Sequence, residues 1–372
     1  MRRNLAANEN AGLLQTKIAR RQLLAGFGAL GAGAFLRSDL RAQPQRSANE
    51  AQRSVNEPQG RVIDVHHHIV PPKFMAAHRD DMVRGGAGQP YVQAWTPQVS
   101  LDQMDAQGVA TSILSLSTPG TWFGSVQDGR KMSRLVNDYA AELARDHPGR
   151  FGLFAAIPVP DIDGTLKEIE YAFDVLKADG VGIMTSYDTI PTGDKSFWPV
   201  FEELNRRKAV VFMHRTAATC CLNLRQDPAN QEFIVDDVRA LNSFLVGGTL
   251  ARFPDVRLIH SHGDKVMAWV AKLNGAPING PQRGPNPAWA PEGIQAQLRK
   301  VYVDSAGNNK FSMDELRALG MLGTRVMFGT DVPWGNVKQN LDGLRQRMGC
   351  SPAEVEAVEY KTARKLFPKY DI

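Results

Sequence analysis

Val62-Ile63-Asp64-Val65-His66-His67-His68 is the stretch on which the choice of fold turns. Its apolar residues predict a short strand over Val62–His66 that runs straight into histidines. A doubly wound nucleotide-binding sheet would carry a glycine-rich phosphate loop at this point; Asp64 to His68 stand there instead. Outward from this segment, seven more strand-like runs follow: Ala110–Leu116, Phe151–Ile157, Val181–Met184, Ala209–His214, Val256–His260, Lys300–Asp304 and Arg325–Gly329. Helical patterns separate them, over Lys131–Asp146, Gly164–Ala178, Phe197–Arg207 and Val235–Arg252. Runs such as Ala209-Val210-Val211-Phe212-Met213 are almost continuously apolar, as strands buried on both faces must be. Eight such repeats predict a single (β/α)8 TIM barrel over residues 61–372, with its active site at the C-terminal ends of the strands.

Composition narrows the function. The chain has 372 residues, 43% hydrophobic and 22% charged, enough for a large core, so disorder as the main state is excluded. Three cysteines, two of them adjacent (Cys220, Cys221), make neither a disulfide framework nor spaced zinc pairs. No apolar run approaches the ~18 residues of a membrane span. Residues 1–60 hold nine Lys and Arg against four Asp and Glu, which is the whole formal excess of +5. The remainder is neutral, so nucleic acid is not an expected partner.

That basic N-terminus has its own logic. Arg20-Arg21 precede a weakly apolar, Gly/Ala-rich stretch, Ala25–Leu36, and a polar segment follows Leu40-Arg41-Ala42. Residues 1–42 are therefore expected to be a twin-arginine export leader directing the protein to the periplasm, and residues 43–60 a solvated linker.

The chemistry is expected from histidine. Six of eight histidines fall at or just past strand ends: His66, His67, His68, His214, His260 and His262. Residues i and i+2 of a strand share a side, so His66 and His68 point together into the barrel mouth and suit a divalent transition metal. His67 faces the other way, as a packing residue. His214 supplies a third nitrogen from across the mouth. His262, with Gly263 behind it allowing close approach, is the candidate general acid/base, and His260 a structural residue. Asp331, in Gly329-Thr330-Asp331-Val332-Pro333, either ligates the metal or moves a proton. In the loops, Trp122 is a candidate to stack on a flat substrate and Arg215 to pair with a substrate carboxylate. Plain packing and an internal salt bridge are the respective alternatives. The proline-rich segment 279–293 reads as a lid or a dimer contact.

This set of residues resembles the amidohydrolase superfamily, most of all its branch of aminocarboxymuconate-semialdehyde decarboxylases and related enzymes. Thr118–Gly124, Ala178–Val181 and Glu203–Val211 are similar to 6-methylsalicylate decarboxylases. The resemblance implies His66, His68, His214 and Asp331 as ligands of one divalent metal, zinc first and manganese second, with His262 as catalytic base. It also implies a homodimer. Arg215 stands where relatives commonly have proline, and Gly263-Asp264 where they often have Gly-Gly. Val181–Ser186 lacks the Lys or Glu of two-metal members, so one metal is expected. The implied reaction is non-oxidative decarboxylation of a small aromatic or enoic carboxylic acid. Hydrolysis of a cyclic amide, lactone or ester is the alternative served by the same apparatus.

Overall fold

Eight strands carry the architecture: β1 (Val62–Ile69), β2 (Val109–Leu116), β3 (Phe151–Ala156), β4 (Gly180–Met184), β5 (Val210–His214), β6 (Arg257–His260), β7 (Tyr302–Asp304) and β8 (Val326–Met327). They come from a computed structural model that describes residues 60–216 and 228–370, Asn279 excepted. The expected leader, and the linker up to residue 59, lie outside the described residues. The strands pair in parallel, each with its sequence neighbours. Val65 N donates to Phe328 O at 3.0 Å and His68 N to Val332 O at 2.7 Å, which joins β1 to β8 and its following loop. The ring is thus the expected (β/α)8 barrel.

β1 is longer than predicted and contains all three histidines, because they are buried and hydrogen-bonded on both edges. A register shift against β2 falls between Asp64 and His67. Such an irregularity lets a strand re-aim its side chains. Val65 packs in the inner core while the next residue, His66, lies against Phe212 with ring centroids 5.2 Å apart.

The barrel interior is filled by Ile63, Val65, Ile113, Phe154, Val210, Phe212, Ile259 and Met327. Phe154 and Phe212 stack at 5.2 Å and form an aromatic floor under the histidines. The C-terminal residues Tyr360, Leu366, Phe367 and Tyr370 close the opposite end, where Tyr370 Oη donates to Asp179 just ahead of β4.

Outside the ring lie α1 (Pro97–Gln107), α2 (Val126–Asp146), α3 (Ile162–Glu170), α4 (Trp198–Arg206), α5 (Pro228–Val246), α6 (Asp264–Leu273) and α7 (Lys310–Ala318). α2 starts five residues before its predicted position because Ser125 caps it, accepting from Asp128 N at 3.3 Å. The helix predicted over Val235–Arg252 instead begins at Pro228 and breaks after Val246. Gly248, at φ 80°, turns the chain there before a separate turn, Thr249–Arg252. Among the described residues no helix is long and apolar enough to cross a membrane.

Candidate metal centre

Asp64, fully buried, organises the end of β1. Its Oδ1 accepts from His66 N (3.0 Å) and Thr330 N (3.1 Å), and its Oδ2 from the Thr330 hydroxyl (2.6 Å) and His67 Nδ1 (2.9 Å). It therefore ties β1 to the loop after β8. His67 turns away from the mouth, its Nε2 against Ser100 Oγ of α1 at 2.7 Å.

His66 and His68 face inward together. His66 Nδ1 bonds the buried Asp304 Oδ2 at 3.0 Å, and His68 Nδ1 bonds Ser115 Oγ at 3.0 Å. With Nδ1 of each ring so occupied as donor, the Nε2 lone pairs are free. Those lone pairs converge: His66 Nε2 lies 3.0 Å from His68 Nε2, which lies 3.1 Å from His214 Nε2. Asp331 Oδ1 completes the group, 3.3 Å from His66 Nε2 and 3.2 Å from His68 Nε2. Lone pairs facing lone pairs at this range repel unless a cation sits among them. One donor atom each from His66, His214, His262 and Asp331 fall within 4.8 Å of one another, with His68 Nε2 in their midst. Imidazoles and a carboxylate in this arrangement make a site for one divalent metal. At the end of β4, Thr185 and Ser186 turn their hydroxyls to Asp236, so no second ligand set forms there.

Electrostatics point the same way. Burial opposes a charge on His66, yet the carboxylates of Asp304 and Asp331 carry its pKa up to about 10. Without a cation the cluster draws one in as a proton. Burial, then the neighbouring His68 and His66, hold His214 well below its ordinary value. Burial would raise Asp331, but the charge of His66 above all, with the His262 and His68 rings beside it, keeps it ionised. His262 is brought down to about 4 by burial and by the charge of Arg215, so its imidazole is neutral. Its Nδ1 donates to Ala306 O at 3.0 Å and its Nε2 faces Asp331 Oδ2 at 3.5 Å. Above the cluster opens a cavity of about 790 Å³, lined by Thr118, His214, Arg215, His262, Asp331 and Trp334 among others.

Residues 63–369 match the amidohydrolase family. The chain belongs to that family. The decarboxylase yanB of Aspergillus niger is 34% identical over 334 residues, covering 83% of this chain and 88% of its own. The 6-methylsalicylic acid decarboxylase of Penicillium expansum is 31% identical over 281 residues, 73% of this chain and 84% of its own. A solved dihydroxybenzoic acid decarboxylase from Polaromonas, with bound manganese and the inhibitor 2-nitroresorcinol, shares the fold with a TM-score of 0.68. That pair is 18% identical and covers 84% of this chain and 98% of the other.

In this amidohydrolase, all five residues expected at the metal site and in proton transfer meet at one place. His260 is structural, its Nδ1 on Ser261 O and its Nε2 on Asp237 O. Gly263 packs tightly against its neighbours: a Cβ there would meet Val303 Cγ1 at 2.8 Å and His260 O at 2.9 Å. Arg215 lines the cavity and is also in a salt bridge, 2.7 Å from Asp237. Trp122 is a correction. Its indole donates to Asp188 at 3.1 Å, away from the cavity lining, and the aromatic wall comes from Trp334, edge-on to His68 at 5.4 Å. The proline-rich segment 280–293 contributes no residue to the cavity lining, and Ala290 packs into the core. Two features escaped the sequence: Asp304, a carboxylate ending β7 where other site residues end their strands, and backbone strain. His262 (φ 51°) and Asp331 (φ 60°) both sit in the left-handed region, at about 1–3 kcal/mol each.

Proposed function

We propose that this amidohydrolase is a metal-dependent, non-oxidative decarboxylase of a small aromatic acid of the salicylate type. The observation that carries the proposal is the convergence of His66, His68, His214 and Asp331 beside a neutral His262 under a cavity roomy enough for a single-ring acid. The Aspergillus and Penicillium relatives, named as decarboxylases, support the reaction class.

The cation, when bound, supplies Lewis-acid charge that orients the substrate's oxygens. The donor set of imidazoles and one carboxylate favours zinc, and manganese, held by the Polaromonas relative, is the alternative. The chain's own residues then move a proton. A proton from solvent is taken up by His262 and passed across the 3.5 Å contact with Asp331 to the ring carbon bearing the carboxylate. Protonation at that carbon makes the ring an electron sink. The electron pair of the breaking C–C bond returns to the ring as CO2 leaves, and aromaticity is restored. Trp334 walls the cavity beside His68.

The test is direct. Metal-loaded protein is incubated with a panel of ortho-hydroxybenzoates and a panel of lactones, following CO2 release against carboxylate formation. CO2 release that stops on chelation and returns with metal is expected. Carboxylate formation from lactones alone would favour the hydrolase.

The Arg20-Arg21 leader supports export to the periplasm, tested by cell fractionation with Arg20→Lys/Arg21→Lys as control. The exposed Trp269 and Leu273 on α6 and Phe311 on α7 support a homodimer, tested by sedimentation.

A further inference from the structure

Arg215 leaves β5 directly after His214 and lines the same cavity as His262 and Asp331. Its side chain is only 13% exposed, and its Nη2 donates at 2.7 Å to Oδ2 of the fully buried Asp237 on α5. Asp237 is fully buried on α5, with its backbone carbonyl 3.3 Å from His260 Nε2. Asp236, next to it, holds the hydroxyls of Thr185 and Ser186 at the end of β4. The guanidinium is therefore clamped at one edge by a buried carboxylate rather than swinging free at the surface.

The ion pair leaves the arginine incomplete. Its Nε–H is buried and has no acceptor among the described residues. An unmet buried donor is destabilising until an acceptor reaches it. The guanidinium presents five donors in a planar fork that matches a two-oxygen anion. Among the described residues, the other cations lining the cavity are otherwise engaged, Lys310 with Asp314 and Arg347 with the Gln339 carbonyl. Arg215 is the one adjacent in sequence to a metal donor.

We propose that Arg215, held in place by Asp237, grips the carboxylate of the substrate and selects ionised acids over neutral molecules of the same shape. The proposal rests on the decarboxylase reading and names the group that recognises the acid. Asp237 acts through Arg215 and is a positioning residue. Arg215 is thus a specificity determinant.

Equilibrium binding of salicylate and of its neutral isostere salicylamide to the metal-loaded protein tests this, by calorimetry on wild type, Arg215→Gln, Arg215→Lys and Asp237→Asn. Wild type is expected to prefer salicylate on the order of tenfold or more, as charge-assisted hydrogen bonds allow. Arg215→Gln should cut the preference severalfold, to what the cation alone gives, and salicylamide binding reports that the variant is folded. Arg215→Lys, a charge without the fork, should recover part of the preference. Asp237→Asn should weaken salicylate and spare salicylamide. A wild type that does not distinguish the two ligands, or an Arg215→Gln protein that distinguishes them as wild type does, overturns the proposal. CO2 release is scored separately: reduced discrimination in Arg215→Gln with no CO2 from any ortho-hydroxybenzoate keeps this inference and sinks the decarboxylase reading.

Discussion

Oδ2 of Asp304 sits 3.0 Å from Nδ1 of His66, with both side chains fully buried. The contact fixes the His66 tautomer, aims Nε2 at the cluster and makes the nitrogen more basic. Partners of this kind change metal affinity by about 10–100-fold when removed. Asp304→Ala is expected to lose metal affinity in that range while His66, His68 and His214 remain in place. Competition titration against a chromophoric chelator measures it, and an affinity equal to wild type would mean the contact does not tune the site.

His262 is placed to handle a proton, with Nδ1 committed to the Ala306 carbonyl and Nε2 turned to Asp331. His262→Asn should keep stoichiometric metal and lose about 10²-fold or more in turnover. Metal analysis and kcat on the same preparation separate the roles. Loss of metal with loss of activity would make His262 a ligand.

Much of this was legible in the sequence, for a physical reason. Barrel chemistry gathers where strands end, and His66, His68, His214, His262 and Asp331 are polar residues abruptly ending or following apolar runs. Asp304 ends a strand of only three residues and read as part of a core run, so its bond to His66, 238 positions away, left no local trace. Loop aromatics defeated the reading differently. Trp122 and Trp334 each follow a barrel strand, and only the packed loops decide that Trp334 faces His68 and Trp122 faces Asp188. Gly248 and the π turn Tyr171–Val175 broke or loosened predicted helices, since apolar periodicity carries no record of a left-handed φ or an extra residue in a turn.

The metal-free protein should show an unusual pH optimum of stability. His66 is raised from its ordinary 6.5 to about 10, so its contribution is fully present below 6.5 and is lost as pH rises toward 10. His68, His214 and His262 are depressed, resisting protonation when folded, so stability also falls as pH drops below 6.5. Melting temperature of the metal-free protein should therefore peak near pH 6.5 and decline on both sides. In the loaded protein the cation replaces the His66 proton, and the alkaline decline should vanish. Calorimetric scans of both forms between about pH 5 and about pH 9.5 check this; a metal-free melting temperature still rising at alkaline pH contradicts it.

Gly329 is the spacer between His66 and Asp304. A Cβ on Gly329 would lie 2.8 Å from His66 Cβ and 2.9 Å from Asp304 Cβ, and neither atom can swing aside without moving its backbone. Gly329→Ala is expected to push the two side chains apart, stretching the 3.0 Å contact that orients His66. Overpacking of this kind costs about 1–3 kcal/mol, and metal affinity should fall along with stability. Gly182, in β4, is the control: a Cβ there meets nothing closer than 3.7 Å, so Gly182→Ala should keep both wild-type melting and wild-type metal binding. If Gly329→Ala melts lower but binds metal as tightly as the control, the strain is absorbed away from His66, and the spacer role assigned to Gly329 is wrong.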